Sequence, residues 1–246
     1  DVGQGDASYI KNASGQDILI DGGPDNSVLN QLDKVMNFGD REIDLVILSH
    51  PHADHLTGLL EVLQRYQVDE VWETGVEYPS ATYAKWHQDI AQKNIPRKEV
   101  QAGESKSFGN LKIEILSPLS PLANKKIDNL NNASIVNRLD FERFSVLFTG
   151  DAEKEVQDKL LDKNVFADVL KVAHHGSANG LSKSFLAAVR PAIAIISVGQ
   201  DNKYGHPHQA ALNLLKDLAI RIYRTDQNGT IEISSDGKNY SVKAFK

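Results

Sequence analysis

Short apolar runs that stop abruptly at polar or histidine-bearing turns alternate along the chain with stretches of helical period. Ile18-Leu19-Ile20 ends at Asp21-Gly22-Gly23, and a helix is expected over about residues 27–37. Residues 43–48 read as a buried strand, the segment up to about Tyr66 as a helix, and Glu70-Val71-Trp72 as a short strand. An amphipathic helix over roughly 80–93 is closed by Asn94 and Pro96. Residues 98–116 read as β structure, with period-two alternation from Leu111 to Leu116. Residues 117–131, rich in Pro, Asn and Lys, form a long connection expected to join two halves.

The second half repeats the rhythm. A hairpin is expected over 134–148, turning at Glu142-Arg143 and ending in Thr149-Gly150-Asp151. A helix over about 153–161 precedes a strand over 168–173 that ends in His174-His175-Gly176-Ser177. A helix over about 182–189 leads to a strand over 192–198. That strand opens into a polar turn, Gly199 to His208, before a last helix over about 209–218. Closing strands near 221–223, 230–234 and 240–245 are expected to pair antiparallel.

The strand ends carry the chemistry. His50-Pro51-His52-Ala53-Asp54-His55 packs three imidazoles and a carboxylate into six positions, and there are 8 histidines in all. Every other histidine except His87 follows a later strand. His87, beside Trp86 on a helix, reads as a surface or packing residue. Imidazole and carboxylate together suit zinc and manganese- or iron-like divalent ions. A loop at the carboxyl end of a buried strand is where open α/β sheets place their sites. A dinuclear centre needs a bridging carboxylate and about three further donors per ion, with the ions ~3.5–4 Å apart so that they share one hydroxide. His50 and His52 suit one ion, Asp54 and His55 the other, and Asp151 the bridge. His174 or His175 completes the second set. The strand end favours His174, with His175 behind it or facing substrate.

Composition narrows this picture. At 246 residues and 41% hydrophobic, the chain can bury a full core, either as one large domain or as two related halves, about 1–120 and 121–246. The absence of cysteine excludes disulfide partners, thiolate ligands and a thiol nucleophile, so ligands must be nitrogen or oxygen donors. The net charge of -6 means that attraction to a polyanion must be local. Lys171, Lys183, Lys203 and Arg190 are candidates for a basic rim. No run is long and apolar enough to span a membrane, and the chain opens at Asp1 directly in a motif-like stretch. That suggests a domain of a longer protein, or a processed one, with room upstream for membrane segments.

The HxHxDH stretch, Ile20-Asp21-Gly22 before it, and Thr149-Gly150-Asp151 with a later histidine resemble the metallo-β-lactamase superfamily. Asp1-Val2-Gly3-Gln4-Gly5-Asp6-Ala7, Leu170 to Ser177, and Ser197-Val198-Gly199 through Gly205-His206-Pro207 are similar to the hydrolase domain of ComEC-like competence proteins. The resemblance covers essentially the whole chain. It implies an αββα sandwich of α/β class with a dinuclear site at one edge. It also implies a nuclease that degrades one strand of incoming DNA beside a membrane channel, on the extracytoplasmic face of a bacterial membrane. By motif, His50, His52, Asp54, His55, Asp151 and His174 would be ligands of two divalent ions, zinc or manganese. Asp21 would orient the metal loop, with Asp6 a structural neighbour. Many superfamily members carry a further histidine ligand before the bridging aspartate. Here that place falls in Asn131-Asn132-Ala133-Ser134, which leaves Asn132 as a weak oxygen ligand and a first ion held more loosely.

The expected reaction is attack of a metal-activated hydroxide on a phosphodiester. Asp54 would hold its ion and take a hydrogen bond from the nucleophile. His206 would contact the scissile phosphate or protonate the leaving oxygen, and His175 would face substrate. Ser177, Ser197, Asn202 and Tyr204 would line the phosphate, while His208 caps the last helix. Other ester or amide substrates, such as a β-lactam, a lactone, a phosphocholine ester or RNA, share this type of site. A catalytically weak DNA-guiding module is a third reading.

Overall fold

The computed structural model describes residues 1–246. A hairpin of β1 (Ser8–Lys11) and β2 (Asp17–Ile20) leads into α1 (Ser27–Val35), β3 (Glu42–Ile43), β4 (Leu45–Ile47) and α2 (Ala53–Arg65). Next come β5 (Gln67–Val68), β6 (Val71–Glu73), α3 (Ala81–Gln92) and β7 (Arg97–Glu99). The second series is β8 (Ser105–Phe108), β9 (Leu111–Ser117), β10 (Val136–Phe141), β11 (Phe144–Phe148), α4 (Lys154–Lys159), β12 (Val169–Lys171) and α5 (Lys183–Val189). It closes with β13 (Ile193–Ile196), α6 (Gln209–Asp217), β14 (Arg221–Arg224), α7 (Thr225–Asn228), β15 (Thr230–Ser235) and β16 (Tyr240–Phe245).

Two sheets result. The first has the order β1-β2-β4-β6-β7 and the second the order β14-β13-β12-β11-β10-β9-β8. Strand alternation sorts their side chains into three apolar layers. Ile18, Ile20, Leu45, Ile47 and Trp72 of the first sheet meet Ile113, Ile115, Leu139 and Phe148 of the second. On the opposite face of the first sheet, Leu19, Val46 and Val71 pack under α1, α2 and α3 through Leu32, Leu59 and Trp86. On the opposite face of the second, Leu147, Leu170, Ala194 and Ile196 pack under α4, α5 and α6 through Val156, Phe185 and Leu215. The molecule is an αββα sandwich. The inner parallel strands are apolar on both faces because each face is covered.

Two expectations change here. β14 does not join an antiparallel closing group: it runs parallel to β13, with Ile193 opposite Arg221, and only β15 and β16 pair antiparallel. α6 carries the chain back along the sheet, and a helical crossover delivers the next strand parallel. The chain changes sheets between β7 and β8, at residues 100–104, ahead of 117–131. The latter segment connects β9 to β10 within one sheet.

Every catalytic-type side chain leaves a strand at its carboxyl end: Asp21 after β2, His50 to His55 after β4, Asp151 after β11, His174 and His175 after β12, and the 197–206 turn after β13. His87 sits elsewhere, on α3. Its Nε2 lies 2.8 Å from the buried carboxylate of Glu73, which also accepts from Trp86 Nε1 at 3.0 Å and Arg97 at 2.7 Å.

Candidate metal centre

Asp21 stands at the end of β2 with φ 59°, in the left-handed region, and is fully buried. Its Oδ1 accepts the backbone N–H of Ser49 at 2.7 Å, and its Oδ2 accepts the Ser49 hydroxyl at 2.7 Å. The same Oδ2 accepts Nδ1–H of His55 at 2.8 Å. A carboxylate cannot donate, so Nδ1 keeps its proton and, once the ring is neutral, Nε2 is the lone pair open to a metal. Burial raises the Asp21 carboxyl, against the opposing charge of His55.

Asp151 is the hub of the site. Its backbone N–H is held by the Ser134 hydroxyl at 3.0 Å. Oδ1 lies 3.3 Å from His55 Nε2 and 4.0 Å from His175 Nε2. Oδ2 lies 3.8 Å from His50 Nε2 and 3.9 Å from His174 Nε2. Each oxygen of one carboxylate therefore faces two imidazoles. His50 Nε2 is 3.0 Å from Nδ1 of His52, and His175 Nε2 is 3.2 Å from Asp54 Oδ2. Buried polar atoms normally find hydrogen-bond partners. Here His55 Nε2 and Asp151 Oδ1 are both buried and have none. Converging nitrogen and oxygen donors with orphaned lone pairs fit a divalent cation. His50, His55 and Asp151 form one compact donor cluster, and Asp54, His55 and His175 another.

His175, not His174, stands beside Asp54 and His55. β12 stops at Lys171, and the chain turns sharply: His174 (φ 50°), His175 (φ 52°) and Gly176 (φ 76°) all take left-handed geometry. An extended strand would send these neighbours to opposite faces. The turn aims both at Asp151, at a cost of about 1–2 kcal/mol for each histidine. His175 donates Nδ1–H to the Ser197 carbonyl at 2.9 Å, so Nε2 is the nitrogen that loses its proton when a metal binds. His174 Nδ1 lies 3.1 Å from Glu153 Oε1 and 3.3 Å from Asn131 Nδ2.

The N-terminal turn buttresses this arrangement. Asp6 is buried, bonds Lys171 Nζ through Oδ2, and has Oδ1 3.4 Å from His175 Nδ1. Its N–H donates to the Asp54 carbonyl at 3.1 Å. A Cβ on Gly5 would stand 2.4 Å from that carbonyl oxygen, so only glycine allows the approach. Lys171 is thus a buried strut and not part of a basic rim. Arg190 also leaves the rim. It caps α5 at the end remote from the site and lies over the Phe166 ring.

Asn132 does not face the metal place. Its Oδ1 accepts the Glu153 N–H at 3.0 Å and its Nδ2 donates to Glu155 at 3.3 Å, so it caps α4. Asn131 turns inward instead, donating to Glu153 at 3.2 Å. Asn202 is also committed elsewhere: both its amide atoms tie the 199–206 turn through Gly199, Tyr204 and His206 backbone groups. Ser197 acts through its carbonyl. The Ser177 hydroxyl is buried without a partner. His206 lies 5.5 Å from the His174 ring and 6.1 Å from the His175 ring. His208 occupies the N-cap position of α6, but its side chain makes no capping bond. Ser49, Glu153 and Asn131 were not legible as site residues. Serine before histidine and glutamate at a helix start have ordinary local explanations.

The charges follow from this packing. Burial opposes a proton on His55, but Asp151 and Asp21 outweigh it and push the imidazole well above its usual range. Burial likewise opposes charge on His175, yet Asp151 and Asp6 raise it to about 10. Burial would raise Asp54, but the hydrogen bond from His175 brings it to about 2. Burial pushes His50 well down and His52 down. Burial, then the charges of His175 and His174, lower His206 to about 4. His55 and His175 therefore carry protons at pH 7 in the metal-free protein. A metal needs their lone pairs, so loading should expel about two protons near pH 7, and affinity should rise with pH toward 10. Calorimetric titration in buffers of different ionisation enthalpy reads that number. Metal uptake without proton release would contradict the assignment.

Comparison with known proteins gives the family and the fold. A family model described as the metallo-beta-lactamase superfamily matches residues 1–200. The chain is 35% identical over 196 residues to ComE operon protein 3 of Bacillus subtilis, covering 79% of this chain and 25% of that protein. It is 30% identical over 240 residues to Recombination protein 2 of Haemophilus influenzae, covering 95% and 28%. To Competence protein ComA of Neisseria gonorrhoeae it is 27% identical over 236 residues, covering 94% and 31%. It therefore spans between a quarter and a third of these relatives. Among solved structures, the metallo-beta-lactamase fold protein YhfI of Bacillus subtilis superposes with a TM-score of 0.61 at 15% identity, over 90% of this chain and 88% of that one. Igni18, a metallo hydrolase of Ignicoccus hospitalis, gives 0.58 at 14% identity, over 100% and 98%.

Proposed function

Because the chain belongs to the metallo-β-lactamase superfamily, we propose that it is a two-metal phosphodiesterase that cuts DNA. The observation that carries the hydrolase reading is Asp151, whose two oxygens each face a pair of imidazoles. His50, His52 and Asp151 would hold one ion, and Asp54, His55, His175 and Asp151 the other. The ions are zinc or manganese. When bound there, they lower the pKa of a water and offset charge on a phosphate. Asp21 holds the His55 ring so that Nε2 faces Asp151, and Ser197 and Asp6 do the same for His175. Asp54 is open to solvent on one side and can accept a hydrogen bond from the attacking water. His206, neutral at pH 7, suits donation of one N–H to a phosphate oxygen better than delivery of a proton. The unpartnered Ser177 hydroxyl suits a second such contact.

Two features support a nucleic-acid substrate. The relatives include proteins named for competence and recombination. Tyr204, 54% exposed, stacks on His206 at 5.7 Å, and the Lys203 ammonium lies 5.3 Å from its ring centre. An exposed ring beside a phosphate site is a platform for a base of a single strand. We assign the domain to a longer bacterial protein, acting at the extracytoplasmic face beside channel segments of the same chain. No helix here is long and apolar enough to cross a membrane.

The test is a set of parallel assays on single-stranded DNA, RNA, a phosphodiester chromogen and a β-lactam chromogen, with manganese and with zinc. Cleavage of single-stranded DNA that vanishes with chelator is expected. Hydrolysis of the β-lactam alone would replace the reading. Tyr204→Ala should raise KM for a DNA strand about tenfold, from base stacking of ~1–3 kcal/mol, and leave the small chromogen unaffected. Equal losses on both substrates would argue against stacking.

A further inference from the structure

We infer that the cleft between the β6–α3 loop and the 117–131 connection is a nucleobase site, with guanine its best occupant, and that it holds a base of the strand being cut. The inference deepens the DNA-cutting reading above and rests on it for the source of the base. The cleft has a volume of about 650 Å³, within the range of small-ligand sites. Its two sides are fastened together. The Asn124 N–H donates to the Gly75 carbonyl at 2.9 Å, and the Glu77 N–H to the Lys125 carbonyl at 2.9 Å. Tyr78, Leu122 and Ile127 pack against Val76 and Leu130. A connection of this length that is pinned to a neighbouring loop is a common place for function. Tyr78 also faces the candidate metal centre: its ring stands 6.0 Å from that of His52. A strand crossing the centre would therefore meet Tyr204 at the His206 end and Tyr78 at the His52 end.

The charges of the cleft select a neutral ring over a phosphate. Its two lining cations, His87 and Arg97, are both tied to the buried Glu73, at 2.8 Å and 2.7 Å. The Tyr83 hydroxyl at 3.3 Å and Trp86 Nε1 at 3.0 Å complete that carboxylate's partners and fix the wall. Arg97 spends its other arm on Glu99 Oε1 at 2.8 Å. A phosphate entering here would meet the carboxylates of Glu77 and Glu99 with no free cation among the lining residues. Glu77 is already paired with Lys126 at 3.6 Å. Glu99 is the carboxylate left for a ligand: it is exposed, and its Oε2 has no partner in the protein. A Cβ on Gly75 (φ 67°) would stand 2.8 Å from Glu99 Oε1, so glycine at this position gives the carboxylate its place against the loop. Guanine carries two adjacent donors on its pairing edge, N1–H and the 2-amino group, and a carboxylate accepts both at once. The other bases alternate donors with acceptors on that edge. The Asn124 side chain, exposed and unbonded, can donate to the neighbouring O6, and Tyr78 supplies a ring for stacking.

The probes are deoxyguanosine and deoxythymidine, which carry no phosphate and so report on the cleft alone. Chemical-shift mapping on the full metal-free chain should show deoxyguanosine perturbing Gly75, Tyr78, His87 and Asn124, and binding about 10-fold more tightly than deoxythymidine. Glu99→Gln, an isosteric change at an exposed position, should abolish that preference. Tyr78→Leu should weaken both nucleosides about 10-fold. In the metal-loaded chain, the ends produced from random-sequence single-stranded DNA should be enriched in guanine at one fixed offset from the break, and Glu99→Gln should erase the enrichment. No perturbation of the cleft by either nucleoside at millimolar concentration overturns the site. Equal affinity for the two nucleosides, or a guanine preference that survives Glu99→Gln, overturns the assignment of guanine to Glu99. Nucleoside binding together with ends of random sequence overturns the placement of the cleft on the path of the strand. Nucleoside binding by a chain that cuts no DNA leaves the site standing and overturns the DNA-cutting reading instead.

Discussion

Asp151→Asn should leave a folded chain that has lost both metal and turnover. The substitution keeps the shape of the side chain and its backbone N–H bond to Ser134, which does not involve the carboxylate. It removes the one anion that four imidazoles converge on. On the two-metal reading this carboxylate is shared, so its loss would weaken both ions together, and we expect turnover to fall about 10³-fold or more. The metal-free fold should suffer less. Breaking a buried ion pair from one side costs about 3–5 kcal/mol when the other charge must remain. His55 and His175 escape that cost by releasing their protons, because Asp151 is the leading attraction that holds those protons on. Metal content, turnover and melting in chelator should therefore separate cleanly. Parental metal content in Asp151→Asn would remove this residue from the centre of the site.

Gly58→Ala is expected to damage stability most among single-methyl additions. Gly58 lies on α2 one turn after Asp54 and His55, and its N–H donates to the Gly23 carbonyl at 3.0 Å. An added Cβ would stand 1.9 Å from the Gly22 carbonyl oxygen and 2.6 Å from that of Asp25. Alanine in a helix gains about 1 kcal/mol over glycine. Contact with two backbone atoms that cannot rotate away outweighs this, and overpacking of this severity costs about 3 kcal/mol. For a chain of this length the melting temperature should drop by roughly 5–10 °C in chelator. The carbonyl of His55 accepts the Gly22 N–H at 2.7 Å, so metal affinity should weaken as well. A variant as stable as the parent would mean that α2 and the β2 turn are not in close contact.

Much of this was legible because strands advertise their ends. Each apolar run stops where its sheet stops, and the residue that follows is either a turn former or a ligand type. His50, His52, Asp54, His55 and Asp151 stood out on that ground, and they do converge. His174 and His175 could not be told apart, because sequence does not show that two non-glycine residues adopt left-handed geometry in succession. Asn131 and Asn132 posed the same difficulty: which of two adjacent amides turns inward depends on the pitch of the turn at Leu130–Ala133. Lys171 looked like a surface charge, since its partner Asp6 lies 165 positions away. The parallel placement of β14 is a matter of crossover topology and leaves no mark on the strand itself.

Each proposed ion would draw on both sheets: the His50–His55 loop belongs to the first, and Asp151, His174 and His175 to the second. Metal affinity in such a molecule is a gauge of the angle between the sheets. A small rotation across the seam formed by Trp72, Ile113 and Phe148 would displace one half of the donors against the other while leaving either sheet intact. Coupling of this kind is reciprocal. Loading the ions would stiffen the seam, and anything that leans on the seam, a tethered neighbour included, would tune the ions without touching a ligand.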